Sequence, residues 1–145
     1  MQHPALPLAQ NLGYASLIPF VVPAFLVWIL PESYGLQASE LMRSYAATIL
    51  AFLSGLLWFS ALQTEQDEAL ARQQLWHGIT FSLIAWASLW VNLLYALPAL
   101  LLSFWLLRRA EVRLLIDKHY PLWFIELRDW LTRIVLASHI SVWVF

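Results

Sequence analysis

The chain has 145 residues, 61% of them hydrophobic and only 12% charged, with a mean hydropathy of +0.68, which excludes an ordinary soluble domain and reads as an integral membrane protein. The formal net charge of -1 carries no message by itself, nucleic acid is not expected as a partner, and zero cysteines exclude disulfides, thiolate metal sites and a cysteine nucleophile. Once several spans are set aside, no stretch is long enough for a separate soluble domain, so residues 1–145 are expected to form a single integral membrane domain.

Residues Met1 to Asn11 hold two prolines and no Lys or Arg, unlike a cleaved secretory signal, so the first span is expected to be retained. That span covers about residues 12–30. Pro19 and Pro23 cannot donate to the carbonyls four residues earlier, which predicts a kinked helix with the Ala15 carbonyl freed. Pro31, Gly35, Glu32, Glu40 and Arg43 read as a turn, with Ser39 capping the helix that follows.

The second span, about residues 45–62, is free of charge and nearly matches a hydrocarbon core of roughly 30 Å at 1.5 Å per residue. Its Ala47, Ala51 and Gly55 recur every four positions, forming a small-residue face for close helix packing. Gln63 to Trp76 reads as a short interfacial helix, with Thr64 and Asp67 spaced like a capping box. His77 to Leu107 is then too long for one span, and a break near Asn92 divides it into spans of about 78–91 and 93–115. A single long helix is the alternative. Pro98 suits the first turns of the second piece.

The strip from Asp117 to Asp129 mixes charges with Tyr120, Trp123 and Phe124, as at a membrane–water interface, and Pro121 is placed to start a helix. The fifth span covers about residues 127–145, with Asp129 and Arg133 four apart and able to pair. The fold class is therefore an all-α polytopic membrane helix bundle of about five transmembrane helices joined by short interfacial loops. One side collects Arg72, Arg108, Arg109, Arg113, Lys118, Arg128 and Arg133, against Arg43 alone on the other. This bias predicts a multi-pass protein of a bacterial inner membrane with its amino terminus inside and its carboxyl terminus outside.

Few residues invite chemistry. His139, Arg133, Asn92 and Ser54 are the candidate intramembrane polar groups, because a polar side chain inside a span defaults to a functional hypothesis. His77 and His139 fall at opposite depths and cannot share one haem iron, and no metal spacing, phosphate loop or nucleophile–base pair is visible. No cofactor, metal site or catalytic residue is predicted. Interfacial anchoring accounts for most of the nine tryptophans.

Leu12-Gly13, Leu17-Ile18-Pro19-Phe20, Tyr45-Ala46-Ala47, Phe52-Leu53-Ser54-Gly55, Trp58, Ala85-Trp86, Leu115-Ile116-Asp117, Pro121-Leu122-Trp123 and Leu127-Arg128 follow in an order that resembles domain-of-unknown-function family 3429. That family comprises small multi-span bacterial membrane proteins and a mitochondrial relative, transmembrane protein 69. The chain departs from the family's pattern at Ser54 and Phe59, where glycine is expected, and at Ser82, where proline is expected. The resemblance implies the topology and carries over no catalytic residue. The sequence favours a non-enzymatic accessory, scaffold or assembly component of a larger membrane complex, with the bilayer and a membrane-protein partner or second copy as its contacts. The alternatives are a small transporter or channel, or a lipid- or quinone-binding protein.

Overall fold

The computed structural model describes residues 6–114 and 122–144, and within them every regular element is a helix. The order is α1 (Leu6–Ala15), α2 (Ile18–Ile29), α3 (Glu32–Gln63), α4 (Glu68–Ser88), α5 (Leu93–Arg113) and α6 (Leu122–Val144). Three stretches are long and apolar enough to cross a membrane: Pro7–Ile29, which takes in α1 and α2, Glu32–Gln63 and Leu93–Arg113. Helices α4 and α6 are about as long as α5, at 21 and 23 residues, but carry charge near their starts, at Glu68 and Arg72 in α4 and at Glu126, Arg128 and Asp129 in α6. The expected all-α bundle is thus the fold, and the chain is a membrane protein by the length and apolarity of its helices.

Proline sets the first break. Pro19 lacks the N–H that would close onto Ala15, and Phe20 donates instead to the Leu17 carbonyl at 3.0 Å, so the ladder resets between α1 and α2. The Ser16 carbonyl released by this shift accepts the Tyr45 hydroxyl from α3 at 2.9 Å. Pro98 repeats the arrangement. It lies in the second turn of α5, within the first turns where it is expected, and the Leu94 carbonyl it leaves open accepts the Trp143 indole N–H of α6 at 3.3 Å.

Helix α3 starts at Glu32, not at Tyr45, because Pro31 serves as its N-cap residue and nothing after it breaks the helix. The expected turn over 31–43 is helical. Ser39 caps nothing and donates to the Gly35 carbonyl at 3.0 Å, while Arg43 pairs with Glu40 and also reaches the Val91 carbonyl at 2.8 Å. A separate interfacial helix before α4 is likewise absent, since one helix runs from Glu68 to Ser88. Its cap is the Asp67 carboxylate, which accepts Leu70 N–H at 3.0 Å, whereas Thr64 ends α3. The break near Asn92 is where the sequence places it: the Asn92 side chain accepts Leu94 N–H at 2.9 Å and starts α5. The reading of Pro121 as a helix start, and the part of the interfacial strip from Asp117 to Pro121, lie outside the described residues.

The core runs along α3, where Met42, Ala46, Leu50 and Leu57 are buried against Phe20, Val27, Phe81, Leu100 and Phe104. Gly78 lets α4 approach α3, since a Cβ there would stand 2.6 Å from Trp58 Cδ1 and 3.1 Å from the Ser54 carbonyl. Gln74, fully buried, ties three helix ends together by donating to the Leu114 carbonyl at 2.8 Å and meeting Thr64 Oγ1 at 3.3 Å. The ends of α3 and α5 and the start of α4 therefore share one face of the bundle.

Candidate functional site

At that same face α5 meets α6 through buried charge. Glu111, 2% exposed, accepts from Arg128 Nη2 at 3.0 Å and Nε at 3.2 Å, and from Arg108 Nη1 at 2.9 Å. Arg128 also donates to Thr132 Oγ1 at 2.7 Å, and Arg108 Nε reaches the half-exposed Asp129 carboxylate at 2.7 Å. Two guanidiniums thus face two carboxylates, so the network is neutral and its buried oxygens and N–H groups are matched. It crosslinks two helices and leaves no free base or nucleophile. The sequence reading missed Arg108, Glu111 and Arg128. Their i,i+3 and i,i+4 spacing with one another and with Thr132 was the available signal.

Asp129 and Arg133 do not form the pair expected of them. Asp129 turns to Arg108, because α5 brings a guanidinium closer, and Arg133 lies over the Trp130 ring at 5.7 Å on the exposed side of α6. His139 is fully buried between Phe20 and Phe104, with ring centroids 5.9 and 5.6 Å away. Its Nδ1 faces the Val135 carbonyl at 2.9 Å, which places the proton on Nδ1, and Nε2 has no partner among the described residues. Ser54 donates to the Leu50 carbonyl at 2.7 Å inside its own helix. Asn92 is an exposed cap. The four polar candidates therefore stand apart, and no polar path joins them. Among the described residues, no group of three His, Asp or Glu could hold a metal ion.

The small-residue stripe also divides. Ala47 is buried, but Ala51 and Gly55 are exposed, and a Cβ on Gly55 would meet nothing within 4 Å. The face of α3 that packs inside the chain lies one residue round, at Ala46, Leu50, Ser54, Leu57 and Ala61. Ala51, Phe52, Gly55, Phe59 and Leu62 form an open apolar ridge instead.

Two hollows flank the network. One, of about 380 Å³, is almost wholly apolar and lies between α1, α3 and α6, with Leu12, Phe52 and Leu131 among its walls and Arg128 at one end. The other, of about 750 Å³, lies between α4, α5 and α6 beside Arg108 and Asp129.

Neither a curated protein nor a solved structure matches the chain at a significant level. A family model does, over residues 6–144, and the chain accordingly belongs to the family described as Protein of unknown function (DUF3429).

Proposed function

We propose that the chain is a non-enzymatic accessory or scaffold component of a larger membrane complex, in a bacterial inner membrane, crossing it five times with the carboxyl terminus outside. The open ridge on α3 carries this reading. Ala51 and Gly55 are small, exposed and central on the longest helix, with Phe52 and Phe59 beside them, the shape another membrane helix uses for close backbone approach. The hydroxyls argue in the same direction. Ser44, Thr48, Ser54, Thr80 and Ser103 each donate to a carbonyl four residues earlier in their own helix, so they line no continuous polar track of the kind a transporter needs.

The absence of native cysteine makes the test direct. A single cysteine at Ala51, crosslinked in native membranes, should trap a second polypeptide, and Gly55→Leu should suppress that product without lowering the stability of the isolated chain. A chain that stays alone under crosslinking, yet moves a solute when reconstituted, would overturn the scaffold reading in favour of transport.

A further inference from the structure

We propose that the hollow between α4, α5 and α6 binds the headgroup of an anionic phospholipid, with Arg109 and Arg113 as the ligands of its phosphate. The two arginines stand one turn apart near the end of α5 and are both exposed along the hollow. Arg43, Arg72, Arg108 and Arg128 each have a carboxylate partner. Arg109 and Arg113 have none among the described residues. The Arg109 guanidinium instead lies 4.8 Å over the Trp105 ring, which holds it extended at the rim and leaves its N–H edge open.

Charge favours an anion here. Arg108, Arg109 and Arg113 face the hollow against the single carboxylate of Asp129, and that carboxylate is already bonded to Arg108. Depth favours a lipid over a free anion. The arginines occupy the last turns of a helix long and apolar enough to cross a membrane, where their side chains reach headgroup level. Towards the middle of the helices the same hollow is walled by Phe81, Trp105 and Leu106, an apolar surface that an acyl chain covers and that inorganic phosphate cannot use. A zwitterionic headgroup would bring an ammonium group against an excess of guanidinium. This inference does not depend on a protein partner for α3.

The test uses the full chain in neutral detergent with phosphatidylglycerol, phosphatidylcholine or inorganic phosphate added, reading retained lipid by native mass spectrometry and the melting temperature in parallel. Phosphatidylglycerol should be retained and raise the melting temperature, while phosphatidylcholine and inorganic phosphate should do neither. Arg109→Gln with Arg113→Gln should weaken phosphatidylglycerol retention at least about tenfold, as removing two basic residues beside an anionic surface predicts. The double lysine variant should keep part of it. Equal retention of the two lipids, or full retention by the glutamine variant, overturns the proposal. An equal effect of inorganic phosphate would show a free-anion site and overturn the lipid assignment.

Discussion

Glu111 is the residue on which the α5–α6 contact should turn. It accepts three N–H bonds from two guanidiniums at 2.9 to 3.2 Å, with both arginines and the carboxylate nearly or fully buried. Removing one partner from a buried ion pair costs about 3–5 kcal/mol, since the remaining charge keeps its desolvation without its counter-ion. Here Arg108 retains Asp129 and Arg128 retains Thr132, so Glu111→Gln should sit at the low end of that range, about 3 kcal/mol. Replacing the pair together, as Glu111→Met with Arg128→Met, removes both charges and should cost less than the sum of the single changes by about 2 kcal/mol. Unfolding in mixed micelles, followed by the fluorescence of the nine tryptophans, measures each arm of this cycle. Additive single and double effects, or a Glu111→Gln variant within about 0.5 kcal/mol of the parent, would refute the reasoning.

The two glycines on either side of Trp58 should respond with opposite sign. Gly78→Ala drives a Cβ into Trp58 and should cost about 1–3 kcal/mol by overpacking. Gly55→Ala enters open space in a helix and should stabilise the isolated chain by about 0.5 kcal/mol, and calorimetry of the two variants compares them directly. Tyr45→Phe removes the hydroxyl donor to the Ser16 carbonyl and should cost about 1 kcal/mol in the same measurement. A reporter active only in the cytoplasm, fused after Phe145, should be silent, and strong activity there would reverse the proposed orientation.

The helical content and the interruptions at Pro19 and Asn92 were legible in the sequence, because a missing N–H and a capping side chain act locally. The start of α3 was not. Pro31 and Gly35 look like loop residues, yet proline is at home just before a helix, and Gly35 is buried within α3. Which face of α3 turns inward was also illegible, since the stripe at Ala47, Ala51 and Gly55 is only one residue out of step with the stripe at Ala46, Leu50 and Ser54. In a membrane both faces are apolar, so hydrophobicity cannot choose between them. Asp129 shows the third kind of miss. Spacing along one helix pointed to Arg133, and only the packing of α5 against α6 could bring Arg108 closer.

The two carbonyls released by proline also order the assembly of the bundle. The Ser16 carbonyl finds its donor 29 residues later in Tyr45, so the first hairpin of helices can complete its own bonding as soon as α3 has emerged. The Leu94 carbonyl must wait for Trp143, 49 residues further on in α6. Helix α5 thus keeps an open acceptor until α6 packs alongside it, and α6 closes the bonding of the helix before it.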